Sequence, residues 1–168
     1  MLAEVLSYDF YEGVIYTMKK LDNYYINRAT CAIIPVDKEV CEVYELNDSY
    51  SVSSCAKRVI DDSCKYFGCT YHGRLEGSKK ILNMNYKLPI IIEEFNNLIF
   101  FPTSSPRFGQ CIWISLNNIR SYEKVGKNVK IIFNNGWELF LDISYYSLEN
   151  QIFRATMLES LIRKRRNF

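Results

Sequence analysis

Val129-Lys130-Ile131-Ile132-Phe133-Asn134-Asn135-Gly136-Trp137-Glu138-Leu139-Phe140-Leu141 is the stretch whose reading decides the fold. Val129, Ile131 and Phe133 recur at every second position before the turn residues, and Trp137, Leu139 and Leu141 do so after them, the period of half-buried strands. A two-residue loop at Asn135-Gly136 would set Phe133 opposite Glu138 and send the two apolar sets to opposite faces. A three-residue loop, Asn134-Asn135-Gly136, instead pairs Phe133 with Trp137, Ile131 with Leu139 and Val129 with Leu141, with Gly136 in the left-handed conformation. Burial selects the longer loop, and the sheet here is antiparallel.

On the C-terminal side the period becomes helical. Ser147 is a candidate N-cap, and Leu148, Ile152, Ala155, Leu158 and Ile162 form a stripe ahead of Arg163-Lys164-Arg165-Arg166. On the N-terminal side, Thr103 to Gly109 has loop composition and precedes a strand over Cys111 to Leu116. Ile81 to Met84, Leu88 to Ile92 and Leu98 to Pro102 read as strands, with Asn96-Asn97 as turn material between the last two. Between Ser53 or Ser54 as cap and Gly68 as stop, Ala56, Val59, Ile60, Cys64 and Phe67 recur at spacings of three and four, which predicts a helix. Tyr71 to Lys80 forms a short second helix or a tight connection. Ala29 to Pro35 and Cys41 to Leu46 flank Asp37-Lys38-Glu39 as a hairpin. Residues 1–27 show no clean period and are expected to be an arm. The fold class is α+β: an antiparallel β-sheet-rich single domain over residues 28–168, with a central helix near residue 60 and a C-terminal helix.

A length of 168 residues is enough for one core, and 48% hydrophobic and 15% aromatic residues exclude disorder. No run of eighteen apolar residues exists, so no membrane span is expected. Cys31, Cys41, Cys55, Cys64, Cys69 and Cys111 contain no C-x-x-C pair, and no export leader opens the chain; the expectation is reduced thiols and a cytoplasmic protein. The net charge of +2 hides a division: residues 1–50 hold 4 Lys/Arg against 9 Asp/Glu, and residues 51–168 hold 17 against 10. A basic body behind an acidic leader fits a surface that meets a polyanion, although solvated strand edges would give the same count.

Catalytic chemistry finds little to work with. His72 is the single histidine. A Cys64 or Cys69 thiolate paired with it could act as a nucleophile, but the helix stripe assigns Cys64 to the core. The cysteines lack metal-ligand spacing and read as buried apolar thiols. No phosphate-cradling or dinucleotide-binding glycine motif is present. The expectation is therefore no catalytic residue, no metal and no cofactor. The C-terminal Arg163 to Arg166 cluster could touch a polyanion or simply complement the helix dipole.

A series of short motifs is more specific. Ser63-Cys64-Lys65-Tyr66-Phe67-Gly68-Cys69-Thr70-Tyr71-His72-Gly73-Arg74, continuing through Gly77 and Ser78, resembles the S-C-x-x-F-G-x-x-Y-x-G-R-x-x-G-[TS] stretch of the competence transcription factor family ComK. Lys87-Leu88-Pro89-Ile90 resembles its K-x-P-I, and Phe100-Phe101-Pro102-Thr103-Ser104-Ser105-Pro106 its F-P-T loop. Cys111-Ile112-Trp113-Ile114-Ser115 resembles its C-x-W-I-S, Phe133-Asn134-Asn135-Gly136 its F-x-N-G turn, and Ile143-Ser144-Tyr145 and Glu149-Asn150-Gln151 its I-S-Y and E-N-Q. The matches keep their order over roughly residues 28 to 158. The resemblance implies an activator of genes for DNA uptake that binds paired A/T-rich boxes in double-stranded DNA, as dimers and mainly through the minor groove. It also implies contact with RNA polymerase and control of its amount through a proteolytic adaptor.

The minor groove over A-tracts is narrow and strongly negative, so an arginine can enter it without reading single bases. Arg74, beside glycines, is the first choice, with stacking on Tyr71 or pairing with Glu76 as its structural alternative. Lys65, Lys79 and Lys80 would hold phosphates, and Arg107, after Ser104 and Ser105, would add another contact. Arg120 and Lys124 are further candidates that could equally line an exposed strand. The rival reading is a non-catalytic protein-interaction module whose basic face binds an acidic partner.

Overall fold

The computed structural model describes residues 4–9 and 14–167, with side-chain detail from residue 17. Its elements run in chain order β1 (Glu4–Asp9), β2 (Val14–Leu21), β3 (Thr30–Pro35), β4 (Cys41–Glu45), β5 (Ser49–Val52), α1 (Ala56–Tyr66) and α2 (Tyr71–Leu82). They continue with β6 (Ile90–Glu93), β7 (Leu98–Pro102), β8 (Trp113–Ser115), β9 (Ile119–Val125), β10 (Asn128–Phe133), β11 (Glu138–Leu141) and α3 (Tyr145–Arg166). Eight strands form one sheet in the order β1-β2-β5-β4-β3-β8-β7-β6, and a second sheet holds β11-β10-β9. Only β2 and β5 pair in parallel among the described strands. The molecule is α+β and antiparallel-rich, as the sequence predicts.

The large sheet is covered on both faces, which explains why its central strands read as unbroken apolar runs rather than alternating ones. Ile33, Ile90, Ile92, Phe100 and Trp113 point into one core with Val59, Ile60 and Cys64 of α1. Their strand neighbours Ile91, Ile99, Phe101 and Ile114 point the other way, into a second core with Ile131 and Phe133 of β10 and Leu148, Ala155 and Leu158 of α3. Leu75 of α2 touches both cores. Truncating a fully buried ring such as Phe100 would cost about 3–5 kcal/mol.

The deciding hairpin has the predicted register. Val129 faces Leu141 and Ile131 faces Leu139, the Phe133 amide donates to the Trp137 carbonyl at 2.9 Å, and Gly136 has φ +89°. Gly68, at φ +83°, follows α1 as a stop.

Several local expectations are corrected. Neither Ser53 nor Ser54 caps α1; Cys55 occupies the cap without a side-chain bond, its carbonyl accepting from the Arg58 and Val59 amides at 3.0 and 3.1 Å, so the helix starts later than either serine would set it. Ile81 and Leu82 are the last turn of α2 rather than the start of a strand, and Asn83 ends the helix in the left-handed conformation. Ser144, not Ser147, caps α3, its Oγ accepting from the Ser147 amide at 3.1 Å. The helix therefore starts at Tyr145, a turn's length before the apolar stripe suggests. Strand β9 had no apolar alternation to announce it. The stretch expected as an arm supplies β1 and β2, which extend one edge of the large sheet.

Candidate nucleic-acid interface

Helix α2 divides the candidate cations. Thr70 caps it, accepting from the Gly73 amide at 3.0 Å, and the spacing of four then aligns Tyr71, Leu75 and Lys79 on one face. These three line a groove of about 320 Å³ with Lys57 of α1, Asn85 to Leu88, and Ser105 to Arg107. The charged residues lining it are Lys57, Lys79, Lys87 and Arg107; no carboxylate does.

Both walls of the groove are fixed from behind by α3. Gln151, only 4% exposed, donates through Nε2 to the Lys87 carbonyl at 3.0 Å and to the Pro102 carbonyl at 2.6 Å. Arg154 donates to the Tyr86 carbonyl at 2.8 Å. One wall is the segment around Lys87, itself held at φ +46°; the other is the loop that begins at Pro102. That loop is pinned at its base: Thr103 and Ile112 exchange bonds at 2.9 and 3.2 Å, and the Cys111 thiol donates to the Ser104 carbonyl at 3.4 Å. Ser105 is buried, and Arg107 is exposed at the tip.

Tyr71 lines the groove with its ring packed edge-on against Trp113 at 6.1 Å, and burial pushes its hydroxyl up to about 12. Lys79 donates to Glu76 at 3.0 Å, and this bond, reinforced by the charge of Lys79, holds the Glu76 carboxyl below its usual range. The pair is solvent-exposed and is therefore readily exchanged.

Arg74 lies elsewhere. It lines a separate cleft with Gly77, Ser78, Glu94 and Ile162, and its guanidinium binds Glu94 at 2.9 Å rather than Tyr71 or Glu76. Glu94 also accepts from Arg166 of α3 at 3.2 Å. The bond from Arg166, with that from Arg74, holds the Glu94 carboxyl below the ordinary glutamate range against the opposing effect of burial. The Arg74 side chain is 18% exposed, and its buried Nε has no hydrogen-bond partner.

Of the other candidates, Lys65 is held by Asp61 at 2.7 Å on α1, and this bond, with the Tyr71 amide, lowers the Asp61 carboxyl. Lys80 is exposed on α2, beside Lys79 in sequence but outside the groove lining. Ser104 lends its carbonyl to Cys111. Arg120 and Lys124 sit on the exposed β9 of the small sheet, and Lys124 lines a different depression with Lys127 and Tyr146. The structure thus gathers Tyr71, Lys79, Ser105 and Arg107 in one groove and leaves the rest outside it. Lys57, Tyr86 and Lys87 were not chosen from sequence. Lys57 was hidden among the solvated charges of an amphipathic face, whereas Lys87 stood inside a quoted motif and could have been found there.

A family model described as ComK protein matches residues 21–167. The chain belongs to the ComK family. The competence transcription factor of Bacillus subtilis (strain 168) is 32% identical to it over 149 residues, covering 86% of this chain and 78% of that relative. No solved structure matches. Both walls of the groove in this ComK-family chain are built from the quoted motifs, the K-x-P-I and F-P-T segments, held together by the glutamine of E-N-Q.

Four of the six thiols of the ComK-family chain are buried, and Cys55 and Cys69 are partly exposed. Cys31, Cys41, Cys64 and Cys111 are buried, and burial pushes the first three up to about 12, which keeps them protonated. Among the described residues, no group of three or more His, Cys, Asp or Glu could hold a metal ion, and no helix is long and apolar enough to cross a membrane.

Proposed function

We propose that this chain is a sequence-specific DNA-binding transcriptional activator of competence genes, acting on A/T-rich boxes of double-stranded DNA mainly through the minor groove. Family membership supports the coarser part, a transcriptional regulator of competence. The observation that carries the finer part is the groove whose charged lining is wholly cationic. Four cations around one concavity suit a phosphate backbone, whose negative charge supplies most of the affinity.

Arg107 is the side chain best placed to enter the minor groove, because it stands exposed at a pinned loop tip and makes no ion pair among the described residues. Arg74 would first have to leave Glu94. Lys57, Lys79 and Lys87 would hold phosphates, Tyr71 and Ser105 would donate hydrogen bonds, and Lys65, Lys80, Ser104, Arg120 and Lys124 would contribute at the margins. Residues 28–168 form the DNA-binding part in this reading. Paired boxes call for a two-fold dimer and paired dimers on the promoter. RNA polymerase and a proteolytic adaptor are the further partners of an activator of this kind, working at the nucleoid in the cytoplasm.

Gel-shift titration of the full chain against A/T-rich and G/C-rich duplexes of equal length tests the proposal. Tighter binding to the A/T-rich duplex, weakening steeply with salt, is expected. Equal affinity for both, with a flat salt profile, would instead favour the basic face as a docking site for an acidic protein.

A further inference from the structure

Phe108 follows Arg107 at the tip of the loop and is 68% exposed. The loop does not expose it through looseness. The Phe108 amide donates to the Ser105 carbonyl at 3.0 Å, closing a four-residue turn with Pro106 at its second position, where a fixed φ is favoured. The Cys111 amide donates back to the Phe108 carbonyl at 3.3 Å, and Thr103, Ser105 and Cys111 beneath are buried. A short hydrogen-bonded turn thus sets the bare Phe108 ring next in the chain to Arg107, which lines a groove whose charged residues are all positive among those described.

We infer that Phe108 is a wedge that inserts between adjacent base pairs of the bound duplex while Arg107 occupies the minor groove beside it. This rests on the DNA-binding reading above and adds what the ring is for. Minor-groove proteins offset the cost of unstacking a step by wrapping the kinked duplex, and A/T-rich boxes contain T-A steps, which unstack most readily. Two other phenyls protrude among the described residues: Phe153, 63% exposed on α3 and outside the groove lining, and Phe95. Phe95 is 90% exposed but lies at the β6–β7 turn outside the groove lining, where Glu94 already engages the neighbouring Arg74 and Arg166. It is the natural control.

The test uses the full chain and a set of A/T-rich duplexes in which 2-aminopurine replaces the adenine of each T-A step in turn, a base whose fluorescence rises on unstacking. The wild-type chain should brighten the probe at one step. Phe108→Ala should abolish that rise and weaken binding about tenfold, the worth of one stacked ring, while the salt dependence stays unchanged. Phe108→Leu, a smaller apolar wedge, should keep much of the signal, and Phe95→Ala should behave as wild type. Circular dichroism of each variant verifies its fold. A full rise with Phe108→Ala, or none at any step with wild type bound, overturns the wedge. Indifference of the wild type to A/T content would instead defeat the DNA-binding reading, and the wedge with it.

Discussion

The two sides of helix α2 carry the same kind of side chain and put it to different uses. On one side, Lys79 joins Lys57, Lys87 and Arg107 around a groove with no carboxylate in its lining. On the other, Arg74 and Arg166 are clasped by Glu94, which ties α2, the β6–β7 turn and the end of α3 together. Arg74, 18% exposed and sharing Glu94 with Arg166, must give up that partner before it can neutralise a phosphate; Lys79, whose bond to Glu76 is solvent-exposed, exchanges it readily and gains a phosphate among like charges. The difference teaches that counting positive residues locates no site, whereas asking which of them lack a committed anion does.

Reversing the charges of the groove should break its function most severely. Lys79→Glu with Arg107→Glu is expected to lower affinity for an A/T-rich duplex by about a hundredfold or more at moderate salt, since two contacts become repulsions. Gel-shift titration reads this, and thermal melting should stay near wild type. Next comes the support behind the groove. Gln151→Ala leaves the Lys87 and Pro102 carbonyls without their shared donor, which should cost about 2 kcal/mol of stability by urea unfolding. Binding to A/T-rich and G/C-rich duplexes should weaken alike as the walls lose their spacing.

The clasp should give the smallest effect, and one confined to stability. Glu94 is about half exposed, so Glu94→Gln should cost no more than about 1 kcal/mol and leave DNA affinity undiminished. The pH dependence has a definite sign. The folded-state pKa of Glu94 is depressed, so its stabilisation is present above the ordinary glutamate pKa and fades as pH falls through the lower folded value. Melting curves of wild type and Glu94→Gln should therefore differ near neutral pH and converge in acid.

How much of this is legible in the sequence depends on how local the cause is. The β10–β11 register follows from a two-residue period and one glycine, both visible in a short window. The same logic finds α1 and its stop at Gly68. The caps are less legible, because serines cluster near both helix starts and only the backbone shows that α1 begins after Cys55 and α3 after Ser144. Ile81 to Met84 misleads because isoleucine and leucine ending a helix look the same as a strand until the left-handed Asn83 is seen. The site behaves similarly. Lys79, Ser105 and Arg107 are visible as basic or hydroxylic residues on a helix and a loop, but the carboxylate that engages Arg74 lies twenty residues away on another element. No spacing rule reaches that far. The motif series carries more than periodicity could, since Gln151 looks like an ordinary helical polar residue until both carbonyls it holds are known.

The salt dependence of binding compares the two sides of α2 most directly. For wild type and three alanine variants, affinity for one A/T-rich duplex is measured from low to moderate salt, and each phosphate contact contributes about 0.9 to the slope of log affinity against log salt. Lys79→Ala and Lys87→Ala should each lower the slope by about one contact, and Arg74→Ala should leave it at the wild-type value. A slope reduced by Arg74→Ala and untouched by the other two would contradict the account.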